Sequence, residues 1–231
     1  MTEVRLIAVE GIGEVSPGDD LVAVVLSGTP RPEPGDVVVV AQKIVSKAEG
    51  RLVAINEKDP LSHKPLVFQE ARRVVRRREN LLITENRHGL VSANAGVDRS
   101  NVPDGYALLL PLDSDRSANR LCVGLEREVG GPLGVVITDT LGRAWRRGHA
   151  DHAIGVSGLP AIVDLKGTHD HNGKELLVTE MAVADEIAGA AELVMGKANK
   201  VPVALVRGTG LVPGQGKAAD LVRDPREDLF R

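Results

Sequence analysis

Asp139 and Thr140 follow the β-branched run Val135-Val136-Ile137-Thr138, and beyond them come Gly142 and the arginines Arg143, Arg146 and Arg147. Such a run reads as a buried strand, so a carboxylate is delivered to a strand end just before a glycine break and a cluster of guanidinium groups. Carboxylate and hydroxyl oxygens are hard ligands suited to Mg²⁺ or Mn²⁺, and arginines hold phosphate or carboxylate. The chemistry this spacing supports is a cation meeting a phosphoryl group. An ordinary strand end followed by a solvated basic turn fits the same window equally well.

Four other windows carry groups of the same kind. Asp98 stands among small residues in Ala95-Gly96-Val97-Asp98-Arg99-Ser100-Asn101. It supplies a second carboxylate at a strand-to-loop junction, with the Asn101 amide three positions on, although Asp and Asn are also common turn formers. Gln42, Lys43, Ser46 and Lys47 follow the apolar run 37–40. Strand ends are where α/β proteins gather ligand contacts, and lysine is a compact charge for phosphate, although a solvated loop lysine explains Lys47 equally well. Gly11-Ile12-Gly13-Glu14 is a glycine-bearing turn whose backbone amides can approach a phosphate, although a simple turn explains the pattern better. Arg72, Arg73, Arg76, Arg77 and Arg78 could steer an anion, but a solvated helix face explains them better. His149, Asp151 and His152 match no zinc spacing and read as a polar loop. His169-Asp170-His171 reads as a turn, and the lone Cys122 as a buried thiol on a helix. Neither G-x-x-x-x-G-K-[ST] nor G-x-G-x-x-G occurs, so any nucleotide is bound by another arrangement.

The elements that must position these groups follow from periodicity. Strands are expected at 4–9, 37–40, 108–110, 135–140, 176–179 and 201–206, with 81–84 and 90–93 forming a β pair around Asn86-Arg87-His88-Gly89. Residues 51–55 are expected to return as a hairpin partner. Helices are expected at 21–26 behind Asp19-Asp20, at 60–79, at 113–129 and at 180–195. With 231 residues the chain can bury a core, and with only 2% aromatics that core must be aliphatic. A net charge of −3 argues against nucleic acid as a partner. One cysteine excludes an intrachain disulfide. Glu3 and Arg5 interrupt any leader-like apolar run, and no stretch approaches the ~18 apolar residues of a membrane span. A cytoplasmic protein without a membrane partner is the expectation.

Taken together, these windows resemble one family, the coenzyme F420-0:L-glutamate ligases. The resemblance rests on Gly11-Ile12-Gly13-Glu14, Pro17-Gly18-Asp19-Asp20-Leu21, Ile44-Val45-Ser46-Lys47-Ala48-Glu49-Gly50-Arg51 and Ile83-Thr84-Glu85-Asn86-Arg87. It continues through Ala95 to Val102, through Val136-Ile137-Thr138-Asp139-Thr140-Leu141-Gly142-Arg143-Ala144-Trp145-Arg146, and ends with Val183-Ala184-Asp185-Glu186-Ile187-Ala188 and Val206-Arg207-Gly208. It implies an α+β fold of mixed sheets with packed helices, neither P-loop nor Rossmann, over a single unit spanning 1–231 without the C-terminal flavin domain of some relatives. It also implies a homodimer, and GTP-dependent amide formation between the terminal carboxylate of F420-0 and L-glutamate, with later γ-glutamyl additions.

The resemblance further implies divalent metal, Mn²⁺ or Mg²⁺, with K⁺ as a candidate monovalent ion. By motif, Asp98, Asp139 and Thr140 match metal ligands. Gly11, Ile12, Gly13, Glu14, Lys47 and Asn101 match GTP contacts, and Gln42 stands where close relatives have a serine on GTP. Lys197 departs from the family pattern near the metals. On chemical grounds Asp98, Asp139 and Arg143 are the expected catalytic set, with Arg143 and Arg146 holding the anionic substrate. The alternatives are a non-catalytic nucleotide- or F420-binding protein, and an amide ligase for a different acidic acceptor.

Overall fold

The structure, a computed structural model, describes residues 3–229. Its strands are β1 (Arg5–Ala8), β2 (Val37–Ala41), β3 (Leu52–Ala54), β4 (Ala71–Arg78), β5 (Leu81–Asn86), β6 (Val91–Ala93), β7 (Tyr106–Leu108), β8 (Gly134–Gly142), β9 (His149–Ser157), β10 (Val163–Asp164), β11 (Glu180–Met181) and β12 (Val203–Arg207). Its α-helices are α1 (Leu21–Ser27), α2 (Gln42–Ala48), α3 (Lys64–Glu70), α4 (Ser114–Val129) and α5 (Val183–Met195). The fold is α+β, with several separate sheets.

The frame is a five-stranded sheet ordered β1-β12-β2-β8-β9, in which only β2 and β8 run parallel. Strands β2, β8 and β12 are apolar on both faces because both faces are covered. Val38, Val40, Val135, Ile137 and Leu205 point into one core with Val25 of α1 and Leu121, Cys122 and Leu125 of α4. Val37, Val39, Val136, Ala204 and Val206 point into a second with Ala184, Ile187, Ala188 and Ala191 of α5. The alanines of α5 let that helix lie close on the sheet. Asp113 caps α4 by accepting from the Arg116 amide at 3.0 Å, and Gly130 ends it in the left-handed region at φ 75°. A third, smaller core of Val67, Leu82, Ala95, Val97, Ala107 and Leu109 sits beneath the sheets β4-β5-β6 and β3-β7. Among the described residues no helix is long and apolar enough to cross a membrane.

Several sequence expectations are corrected here. The helix expected over 60–79 stops at Glu70, and the arginines lie instead on strand β4. Val74-Val75 favours extended backbone, and β4 pairs with β5, where Arg73 Nε meets the buried Glu85 at 2.8 Å. β2 runs directly into α2, so Lys47 lies on a helix and not in a loop. Residues 51–55 yield β3, whose partner is β7, and the strand expected at 108–110 lies at Tyr106–Leu108. No strand forms over 176–179, since Leu177 and Val178 are 70% and 83% exposed and have nothing to pack on. The pairing falls two residues later, between β11 and β10. The helix expected from 180 starts at Val183, since Glu180 and Met181 form β11. The polar loop expected at 149–152 is the first half of β9.

Candidate functional site

The site begins where β2 stops. The last parallel pair is Ala41 opposite Thr138, after which β2 turns into α2 while β8 continues to Gly142 with β9 as partner. Asp139 is therefore not at the end of its own strand but at the end of the sheet's paired interior. The crevice beyond the carboxyl ends of parallel strands is the usual place for ligands.

Burial is the main force on the Asp139 carboxyl, pushing its pKa up to about 6. The negative charges of Asp98 and Asp151 push the same way, while the Thr140 amide and Lys43 oppose them. No lysine or arginine among the described residues lies within ion-pair distance of Asp139. A half-buried carboxylate facing two others with no cation of its own is an unbalanced centre.

Asp98 is held by a two-way backbone bridge to Leu108, at 3.0 and 2.8 Å. Its side chain accepts from the Ser100 amide at 2.7 Å and the Ser100 hydroxyl at 2.8 Å, and pairs with Lys43 Nζ at 2.7 Å. Burial pushes this carboxyl up, but Lys43 and Ser100 outweigh it and hold its pKa below the ordinary value.

Strand alternation turns Thr138 and Thr140 to the opposite face, toward α5. There Asp151, directly across from Thr140 in the register, accepts from Thr140 Oγ1 at 2.5 Å and Thr138 Oγ1 at 3.2 Å. Lys197, just past α5, places Nζ 3.0 Å from Asp151 Oδ1 and 3.5 Å from Glu192 Oε1, and also donates to Thr140 Oγ1. Burial and the Asp151 charge raise the Glu192 pKa, with Lys197 opposing. A bulge opposite Ile137–Thr138 inserts Ile154 into β9. It lets Ala153 and Val156, three residues apart, enter the same core while Asp151 keeps its place beside Thr140.

Helix α2 links the remaining expected residues. Lys47 pairs with Glu14 and so ties the glycine turn to the helix. Gly11 in that turn has φ 83°, backbone that favours glycine. Ile12 packs on the first core, while Gly13 and Glu14 are exposed. Gln42 is buried, its side-chain oxygen accepting from Ser46 Oγ at 2.8 Å. Asn101 is exposed in left-handed backbone at φ 55°, three residues past Asp98. Arg143 stands at the tip of the β8–β9 hairpin, where Nη2 donates to the Arg147 carbonyl at 3.0 Å and the buried Nε has no hydrogen-bond partner among the described residues.

The structure thus brings Asp98 and Asp139 together electrostatically at β8, puts the Thr140 hydroxyl on the opposite face, and pairs Glu14 with Lys47 of α2. Sequence reasoning offers Lys43 only as a phosphate contact, not as the partner of Asp98, and reads Asp151 as part of a polar loop. Lys43 lies four residues before Lys47, one helical turn, and so faces the same side. Asp151 becomes visible once residues 149–157 are read as a strand paired with β8. Among the described residues no three His, Cys, Asp or Glu side chains converge to hold a metal by themselves. Two carboxylates with phosphate oxygens and water completing the shell is the usual arrangement for Mg²⁺ in nucleotide sites, and the unbalanced charge at Asp139 fits such an ion.

Comparison with known proteins agrees with the resemblance. The chain is 42% identical to the coenzyme F420:L-glutamate ligase of Methanopyrus kandleri, covering 94% of each protein. It is 40% identical to the enzyme of that name from Methanothermobacter thermautotrophicus, covering 99% of each, and 40% identical to that of Archaeoglobus fulgidus, covering 99% of this chain and 96% of the relative. Residues 11–208 match the family model described as F420-0:Gamma-glutamyl ligase. The chain belongs to that family, and so to the ligases that join an acid to an amino acid.

Proposed function

We propose that this chain joins L-glutamate to coenzyme F420-0 in a GTP-dependent reaction that passes through an acyl phosphate. The names of its relatives support the two partners. The single observation that carries the metal-and-nucleotide part is Asp139, a half-buried, unbalanced carboxylate near Asp98 where β2 ends and α2 begins.

A carboxylate is a poor electrophile. Its oxygen first attacks the γ-phosphorus of GTP, the bond to the GDP oxygen breaks, and an acyl phosphate forms. The glutamate amine then attacks the carbonyl carbon, the C–N bond forms, phosphate departs and the ammonium proton is released. Catalysis in such a sequence is mainly positioning and charge neutralisation. Asp98 and Asp139 would hold Mg²⁺ or Mn²⁺, which supplies Lewis-acid neutralisation of the phosphates. Lys47 and the amides of Gly11, Ile12, Gly13 and Glu14 contact the nucleotide, with Gln42 and Asn101 beside them. Lys43 keeps Asp98 ionised and in place. Arg143 offers its unengaged Nε–H to the anionic substrate. The chain works as a cytoplasmic homodimer on this reading, which light scattering checks.

The test is mass spectrometry of F420-0 incubated with protein, glutamate, GTP and Mn²⁺. Products heavier by glutamyl units, absent without GTP or with chelator, are expected. No product from protein that retains nucleotide would instead favour a binding protein or a different acidic acceptor.

A further inference from the structure

The resemblance gives Thr140 as a metal ligand, and because its hydroxyl faces away from Asp139 such an ion would be a second one, yet the surroundings of Thr140 already contain a cation. Its hydroxyl proton goes to Asp151 Oδ1 at 2.5 Å, and its oxygen accepts from Lys197 Nζ. Of the ammonium's three N–H donors, two go to Thr140 Oγ1 and Asp151 Oδ1, and Glu192 Oε1 stands 3.5 Å away as a second ion-pair partner. A divalent ion on Thr140 would have to expel that group.

The chain is built to deliver it. Helix α5 ends at Met195, where a cation complements the carbonyl end of the helix. Gly196 leaves the helix at φ 59°, and a side chain there would collide with Asn199 Nδ2, 2.3 Å from where its Cβ would stand. The turn therefore returns at once and sets the lysine over Asp151. The contrast with the other face of β8 is one of charge. Asp151 and Glu192 share the Lys197 cation, whereas among the described residues Asp139 has none within ion-pair distance.

We infer that Lys197 is a tethered cation in the place of a second metal, so that this chain takes a single divalent ion, at Asp98 and Asp139. Lys197 acts as a positioning residue: it fixes the Thr140 hydroxyl and the Asp151 carboxylate. The inference rests on the proposed GTP reaction only for the identity of the first ion.

The experiment is equilibrium dialysis of the full chain against Mn²⁺, with and without a non-hydrolysable GTP analogue, counting metal and nucleotide per chain. Lys197→Glu is expected to retain one Mn²⁺ more per chain than the parent. Lys197→Gln, which removes the charge and adds none, is expected to bind Mn²⁺ in excess of the parent with weaker affinity than Lys197→Glu, and it covers failure of the first variant to fold. Equal counts in the parent and both variants, or two ions on each parent chain, overturn the inference. Nucleotide retention is read separately. Its absence from every sample sinks the GTP reading, while the metal difference still decides the role of Lys197.

Discussion

From Val135 to Ile137, β8 is paired on both edges and buried on both faces; from Asp139 to Gly142 it has one partner, β9, and carries a carboxylate among carboxylates. The first half stabilises the protein: each fully buried valine or isoleucine contributes about 1.5–3 kcal/mol relative to exposure. The second half costs stability, since an unbalanced buried charge is unfavourable. A single strand can do both because the sheet's interior holds it in register while its far end is left to serve a ligand. On the proposed reading, function is located where pairing stops.

The sharpest way to break this contrast is Asp139→Ala. On the proposed reaction it removes metal-held charge neutralisation in the transition state, and turnover is expected to fall on the order of a thousandfold or more. The melting temperature of the metal-free variant at neutral pH is expected to equal or exceed the parent's. A folded variant with near-normal turnover takes Asp139 out of the site.

Leu205→Ala is the converse. Leu205 on β12 is fully buried in the first core, so its truncation is expected to destabilise by about 2–5 kcal/mol in urea titration. Turnover per folded molecule at 25 °C is expected to stay within about twofold of the parent, because the residue touches the frame alone. A large loss of turnover in the folded variant would show that frame and site are not separable.

Between the two lies Asp115, whose carboxylate ties the base of the hairpin to its surroundings. It accepts from the Val156 amide at 2.9 Å and from the Ala218 and Ala219 amides at 2.8 and 3.3 Å. Asp115→Ala leaves those donors without that partner, and a loss of about 1–3 kcal/mol is expected. Hydrogen exchange is expected to quicken at Val156 and at 218–219 while β2 stays protected. Uniform protection across all of them would mean water replaces the carboxylate without cost.

The same division explains what was legible beforehand. Strands β2, β8 and β12 announce themselves because β-branched runs buried on both faces have few other uses, and α4 shows its Asp113 cap and its apolar face. Asp139 is legible as a carboxylate at the edge of such a run, and Asp98 as one among small residues at a strand-to-loop junction. The β4 arginines were misread because periodicity cannot see a partner: Arg73 is placed by Glu85 across the sheet, not by its neighbours in sequence. Asp151 was hidden for the same reason, since its role depends on the bulge at Ile154 and on standing opposite Thr140. Lys197 is invisible to any local pattern, its partners Thr140 and Asp151 lying 57 and 46 residues away.

The smallest effect expected is also the most direct reading of the charge at Asp139. Its folded carboxyl, at about 6, lies above the ordinary carboxylate value. The folded state therefore binds this proton more tightly than the unfolded chain does. The stability contributed is fully present below the unfolded pKa, near ~4, and is lost as pH rises through 6. Asp98 runs the other way: its pKa is held low, so its contribution is present above the unfolded value and is lost as pH falls through the folded one. The total pH profile mixes the two, and the difference between parent and Asp139→Asn separates them. In chelator, that variant is expected to be the more stable at pH 7–8 by on the order of 1–2 kcal/mol, allowing for solvent screening. The advantage is expected to shrink toward zero as pH approaches 4. Added Mn²⁺ is expected to stabilise the parent and leave the variant nearly unmoved, since the ion supplies the charge that Asp139 lacks and the amide does not need. A difference that stays flat with pH and indifferent to Mn²⁺ would mean that the far half of β8 is as well compensated as the near half.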